Sequence, residues 1–502
     1  MSCIISNSQT NLSVKNKAFP YQAQAINAIK DLEYAAIFHE QGLGKTKIAI
    51  DLMMYWLKKK YVDTALVVTK KQLIKNWLDE FNFHTYIVPK VLNNNRNSNF
   101  YVLNSPVKVI ITNFETMSSE KERISLFLRS RNVGIIVDES TKLKNPHAKL
   151  TKSFFEISDL FKRKVIMSGT PIANRPYDLW AQIYFLDKGK SLGENFEKFK
   201  KNTNLTNILN NNLDARTLFE QSVANINERI SSFCIRETKK SCEIKLPNKI
   251  YKSLFATFSK QQKEMYEDVL HTMKIEIKQN GEPILDDDKL ALKRLIRLLE
   301  ITSCPKLIDD DYDELSGKEL VLKKIIDTIV DRDEKCIVWS SFIENIEYFT
   351  SIYKKYHPRK IHGKMSILDR NLSVDIFKKN PECRILFATP QAAKEGLTLT
   401  VANNVIFYDR GFNLDDYLQA QDRIHRISQK KICYVYNIMI EDSVDIWIEE
   451  LLEAKQQAAF LGQGDISLLE YEKKADYSYC DIIKNILEAG QKYDKRDLHI
   501  KK

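Results

Sequence analysis

Three separated groups of residues carry chemistry in this 502-residue sequence. The first is His39-Glu40-Gln41-Gly42-Leu43-Gly44-Lys45-Thr46, between the apolar run Tyr34–Phe38 and a helix-like run from Lys47 to Leu57. Strand, glycine-rich turn, Lys-Thr and helix is the layout of a phosphate-binding loop, although the strict pattern has glycine where His39 stands. Backbone N–H groups around Gly42, Leu43 and Gly44 would cradle phosphate oxygens, helped by the partial positive charge of the helix start. Lys45 would reach the β- and γ-phosphates of a nucleotide, and the Thr46 hydroxyl would face Mg2+. The bland alternative is a helix start that merely has a glycine turn.

The second group is Asp138-Glu139, which ends the apolar run Val133–Val137. At the carboxyl end of a strand, Asp138 is placed to hold Mg2+ and Glu139 to orient and deprotonate an attacking water. Ser168-Gly169-Thr170-Pro171 closes another apolar run, and its small hydroxyl residues could link the nucleotide site to a second site. The third group is Gln419 to Gln429, where Arg423 and Arg426 share one face if the segment is helical and could grip phosphate oxygens bidentately. By itself this would be a surface basic helix.

Elements to position these groups are legible on both sides. Val- and Ile-rich runs at Tyr34–Phe38, Ala65–Thr69, Val107–Asn113, Val133–Asp138 and Lys164–Ser168 alternate with amphipathic stretches. Nearly all-apolar runs alternating with helices predict a parallel sheet covered on both faces. The pattern returns at Cys336–Ser340, Arg384–Ala388, Asn404–Tyr408 and Ile432–Ile440. The expected organisation is an N-terminal α/β lobe over 1–190, helical insertions over 191–310, a second α/β lobe over 311–450 and a helical, basic extension over 451–502.

Composition narrows the function classes. Hydrophobic content of 43% with 28% charged residues reads as a soluble chain. No run reaches the roughly 18 apolar residues of a membrane span, so no membrane partner is expected. Met1–Asn16 shows no apolar core of a secretory signal, and the eight scattered cysteines contain no C-x-x-C pair. These features predict an intracellular, cytoplasmic protein with reduced thiols and no zinc site, a nuclear setting staying open. The net charge of +11 suits a polyanion such as nucleic acid, though Lys and Asn enrichment of the kind an A/T-rich coding sequence gives would also produce it.

Taken in order, Tyr21-Gln22, G-L-G-K-T, Asp138-Glu139, Ser168-Gly169-Thr170-Pro171, Glu395-Gly396-Leu397-Thr398-Leu399-Thr400 and Gln419…Asp422-Arg423…Arg426…Gln429 resemble the Swi/Snf-related branch of the superfamily-two helicase-like ATPases. The resemblance runs from about Phe19 to Trp447 and implies two RecA-like lobes with ATP bound between them. Carried over by position, Gln22 would read adenine, Lys45 and Thr46 would hold phosphate and Mg2+, and Asp138 and Glu139 would be metal ligand and base. Arg423 and Arg426 would complete the site, with Arg426 as the arginine finger. Ser168, Gly169, Thr170, Gly396 and Gln419 would couple hydrolysis to movement. Thr69, Lys70, Thr112, Asn113, Ser340 and Thr389 fall where relatives grip the DNA backbone. The acid motif reads D-E-S-T where many relatives have D-E-A-H, so Thr141 replaces their coupling histidine. The motifs look closer to short bacterial, phage or plasmid members than to chromatin remodellers.

The implied function is a DNA-dependent ATPase and duplex-tracking translocase or remodeller. A strand-separating or branch-migrating helicase has the same motor. An RNA-directed motor stands behind DNA, and a non-catalytic nucleic-acid-binding scaffold is the reading from a different class.

Overall fold

The computed structural model describes residues 11–172, 174–204, 213–242, 246–280, 289–392, 397–426 and 428–474. These residues fall into two compact units. One lies within Met1–Thr203, Ser222–Ile244 and Gly462–Gly464, the other within Asn204–Gln221, Lys245–Leu461 and Asp465–Lys502.

The first unit is built on seven strands: β1 (Tyr34–Ile37), β2 (Thr64–Thr69), β3 (Lys90–Val91), β4 (Val109–Asn113), β5 (Val133–Asp138), β6 (Arg163–Met167) and β7 (Cys234–Ile235). They pair in parallel in the order β3-β4-β2-β5-β6-β1-β7. Three helices matter for the site: α1 (Pro20–Ile29), α2 (Lys45–Lys58) and α3 (Ile74–His84). Helix α2 packs Ile48, Leu52, Met53 and Trp56 into a cluster with Trp77 and Phe81 of α3 and alternate residues of the sheet. Each such side chain contributes about 1.5–3 kcal/mol on full burial, so this cluster fixes the helices that carry the site.

The second unit carries six parallel strands: β8 (Lys249–Ala256), β9 (Cys336–Trp339), β10 (Arg359–Ile361), β11 (Ile385–Ala388), β12 (Asn404–Phe407) and β13 (Cys433–Ile440). Their order is β10-β11-β9-β12-β13-β8. Ile337, Trp339, Leu386, Val405 and Phe407 face one buried cluster, while Cys336, Val338, Ile385, Phe387 and Ile406 face another. This two-residue alternation between two apolar clusters is a sheet covered on both sides, which explains why its strands read as continuous apolar runs.

All nine strand runs expected from the sequence are present, with ends that coincide or shift by one or two residues. Four strands had no such signal. β3, β7 and β10 have two or three residues each, too few to show a pattern, and β8 is an edge strand with Lys249, Lys252 and Tyr251 on it. As a result, the stretch expected to be helical insertions also supplies an edge strand to each sheet, β7 to the first and β8 to the second.

Candidate nucleotide and coupling site

The carboxyl ends of β1, β2, β5 and β6 lie side by side at one end of the first sheet, the end at which open α/β sheets bind ligands. The loop after β1 is held in shape by α1. The Gln22 amide donates to the Leu43 carbonyl at 3.2 Å, and the Tyr21 hydroxyl donates to the same oxygen at 3.2 Å. Gln22 is itself fixed by accepting from the Phe19 N–H at 3.0 Å, which satisfies a backbone donor at the start of α1.

Gly44 is the N-cap of α2 at φ 71°, and a Cβ there would lie 2.4 Å from the Gln22 amide nitrogen. Both the left-handed backbone and the close approach require glycine. Gly44→Ala is therefore expected to cost about 1–2 kcal/mol for the backbone alone, and more for displacing Gln22. It should show as a lowered unfolding midpoint together with weakened binding of a fluorescent ATP analogue.

Lys45 is half-buried among the loop carbonyls, donating to His39 at 2.9 Å and Glu40 at 3.3 Å. Burial pulls its ammonium down to about 8, while the nearby Glu139 and Asp138 charges push the other way. His39, at the position of the missing glycine, is fully buried, and burial lowers it to about 4. It is therefore neutral near pH 7 and adds no charge beside Lys45.

Asp138 ends β5. Its Oδ2 accepts from the Trp77 indole at 2.9 Å and the Thr69 hydroxyl at 3.1 Å. Burial raises its pKa, and the neighbouring Glu139 charge raises it further. A carboxylate whose charge is disfavoured by burial and by the acid beside it is a donor that a hard divalent cation would relieve, so Asp138 fits Mg2+. Glu139 lies at φ 56° and ψ 49° and caps the short helix Ser140–Leu143. Its Oε2 lies 3.4 Å from the Lys70 ammonium.

The Ser168–Pro171 turn reaches this end of the sheet. Ser168 donates its N–H to the Ile37 carbonyl at 3.2 Å, and its hydroxyl accepts from the Thr170 N–H at 3.1 Å. A Cβ on Gly169 would fall 2.4 Å from Gln41 Cγ and 3.2 Å from Lys45 Nζ, so the turn lies directly on the loop that follows β1. The acid motif reaches the same turn through Ser140. Ser140 donates to Gln182 at 2.7 Å, and the Gln182 amide donates to the Pro171 carbonyl at 3.0 Å. Ser140 thus links the acid motif to this turn, alongside the Thr141 substitution.

Some residues of this site were not singled out from the sequence. Gln182 is a fully buried amide in the otherwise mainly apolar helix Trp180–Asp187, and that mismatch was its signal. Arg236 and Lys239 follow β7 with no local pattern to announce them. Arg236 donates to the Phe38 carbonyl at 2.7 Å, and Lys239 holds Glu40 through an ion pair at 3.2 Å and a backbone N–H at 2.8 Å.

In the second unit, the helix Leu414–Gln421 stops before either arginine, so they do not share a helix face. Arg423 is buried and reaches the Leu397 carbonyl at 3.5 Å and Gln419 at 3.4 Å. Gln419 also donates to Asp415 at 2.8 Å. Arg426 donates to the Thr398 hydroxyl at 2.6 Å, and burial lowers its pKa. Gln429 donates to the Ala402 carbonyl at 2.9 Å and the Leu399 N–H to the Arg423 carbonyl at 2.9 Å. The 397–402 and 419–429 segments are therefore laced together. Gly396 lies outside the described residues.

The positions assigned to DNA gripping are mostly turned inward. Thr69, Thr112, Asn113, Ser340 and Thr389 are buried, and Lys70 is half-buried. Thr112 donates to the Leu92 carbonyl at 3.4 Å, Asn113 caps the helix Phe114–Ser119, and Ser340 bonds Asp409. Any backbone contact at these turns would fall to main-chain groups and neighbours such as the exposed Ser341.

Residues 21–306 match the SNF2-related domain, and residues 317–428 match the helicase conserved C-terminal domain. The chain is 27% identical over 472 residues to an ATP-dependent helicase of Mycoplasma pneumoniae, covering 90% of this chain and 43% of that protein. It is 25% identical over 528 residues to the ISWI chromatin-remodeling complex ATPase ISW2 of Saccharomyces cerevisiae, covering 94% and 45%. The chain spans less than half the length of these relatives. Among solved structures, it is similar to the Sulfolobus solfataricus SWI2/SNF2 ATPase core in complex with dsDNA, at 22% identity and TM-score 0.42, over 92% of this chain and 97% of that one. The SNF2-related match alone takes in more than half of the sequence, and the chain belongs to the SNF2-related family of ATP-dependent helicase-like proteins.

Proposed function

We infer that the chain is a DNA-dependent ATPase that tracks along duplex DNA and remodels what is bound there. The observation that carries this reading is the meeting of Lys45, Asp138, Glu139 and the Gly169 turn at one sheet end. Such a constellation has the parts for phosphoryl transfer to water, which needs positioning and charge neutralisation more than covalent help.

In this reading Lys45 leaves the His39 and Glu40 carbonyls for the β- and γ-phosphates. Gln22 reads the adenine edge besides bracing the loop. Thr46 and Asp138 hold Mg2+, which when bound neutralises phosphate charge. Glu139 orients a water and takes its proton as that oxygen attacks phosphorus, and ADP leaves. Arg426 takes the role of arginine finger that the family resemblance gives it, while Arg423 keeps the 397–402 segment in place. Ser168, Gly169, Thr170, Gly396 and Gln419 transmit the hydrolysis state.

The positive charge and the family support DNA as partner, with RNA second. The test is ATPase rate measured side by side with duplex, single-stranded and branched DNA and with RNA. Duplex DNA is expected to stimulate most. Its affinity should fall by roughly 0.9 log units per tenfold rise in salt for each phosphate contacted. An ATPase indifferent to DNA, or a salt response that is flat, would rule the reading out. A strand-displacement assay on the same substrates separates translocase from helicase.

A further inference from the structure

The turn after β2 grips both acids of the β5 motif, and register explains how. In the parallel pairing of β2 with β5, Val68 stands opposite Val137. One step on, Thr69 comes beside Asp138, and its hydroxyl donates to that carboxylate at 3.1 Å. The next step brings Lys70 beside Glu139, with its ammonium 3.4 Å from Oε2. Trp77, a turn further along in α3, closes on Asp138 as well. The two grips differ in kind. Thr69 and Trp77 are neutral, and both lie fully buried against Asp138. Lys70 is charged, keeps 15% of its side chain exposed, and meets a glutamate whose side chain is 22% exposed. The first grip is buried, whereas the second keeps some access to solvent, where another anion can compete.

We propose that Lys70 is a positioning residue that holds the Glu139 carboxylate away from its working orientation until a DNA phosphate takes the ammonium. The inference rests on the motor reading above and gives its DNA dependence a chemical origin. The lysine ammonium is a compact point charge, and a phosphate oxygen placed beside it offers the same kind of partner as the carboxylate. Glu139 sits at a left-handed backbone position capping a short helix, so its main chain is held and reorientation falls to its side chain. Releasing the ammonium thus removes this hold on the base without moving β5. The link between polyanion and base runs through this ion pair, with no rearrangement of the core.

Lys70→Ala is the test, with ATPase measured with and without duplex DNA and Lys70→Arg as the conservative variant. The DNA-free rate of Lys70→Ala should rise about three- to fivefold, the scale of one partly exposed ion pair. Its rate at saturating DNA and its KM for ATP should stay near wild type, so the stimulation ratio shrinks. Lys70→Arg should restore the low DNA-free rate, which a merely structural role for the side chain would not predict. A Lys70→Ala protein whose DNA-free rate equals wild type's, while wild type is stimulated by DNA, overturns the lock and leaves the motor reading standing. A fall in rate both with and without DNA overturns it too, because Lys70 would then assist Glu139. Wild-type ATPase that ignores DNA removes the motor reading, and the release step with it.

Discussion

Glu139→Gln is expected to lower ATP turnover by about 10²–10⁴-fold, the usual contribution of a positioned general base, while ATP still binds. The two side chains have nearly the same shape, so the φ 56° backbone and the helix start at Ser140 are undisturbed. What changes is basicity: an amide cannot accept the proton of the attacking water. It also cannot form the Lys70 ion pair, so the variant should bind DNA without restraint from that contact. Binding is checked with a fluorescent ATP analogue and turnover by phosphate release. Full turnover in Glu139→Gln would remove Glu139 from the base role, and loss of both binding and turnover would show a disrupted loop instead.

Arg426→Ala carries the second large effect. A transition-state arginine is worth roughly 10³–10⁵ in rate, equivalent to about 4–7 kcal/mol. The contacts of Arg426 include the Thr398 hydroxyl at 2.6 Å and the Asp422 carbonyl at 3.3 Å. Losing them costs the second unit little beside the core clusters that hold β9, β11 and β12. The expected outcome is a near-complete loss of DNA-stimulated turnover with an unfolding midpoint close to wild type. Arg423→Ala is different, because Arg423 is buried and ties Leu397 to Gln419. A chain that keeps its rate without Arg426 would shift the finger role to another residue.

How much of this was readable in advance depends on where a residue's partner lies. The phosphate loop, Asp138-Glu139 and Ser168–Pro171 announce themselves because each is a short local pattern at the end of an apolar run. The all-parallel sheets were legible for the same reason, since β2, β5, β9 and β11 are buried on both faces. The rest depends on pairing between distant residues. Nothing local marks Arg236 or Lys239, whose partners Phe38 and Glu40 are about 200 positions away. The Lys70–Glu139 contact needs the β2–β5 register, which the sequence does not state. Thr69, Thr112 and Ser340 sit at strand ends where an outward contact is expected, yet each hydroxyl turns inward to an acceptor within its own unit. Hydroxyl residues at strand ends satisfy buried acceptors as readily as ligands, and only the packing decides between them.

The pairing of β1 has a further consequence, in time. The phosphate loop is carried by β1, yet β1 lies between β6 and β7. Its first neighbour ends at Met167 and its second at Ile235. At about 5–20 residues per second of synthesis, the ribosome makes the loop's own strand roughly 10–40 s before the last strand that flanks it. During that interval an apolar strand has open edges, and such edges are where growing chains associate wrongly. The sheet order that brings the loop to the site therefore delays its completion, and a chain interrupted before Ile235 holds every residue of the loop without both strands that support it.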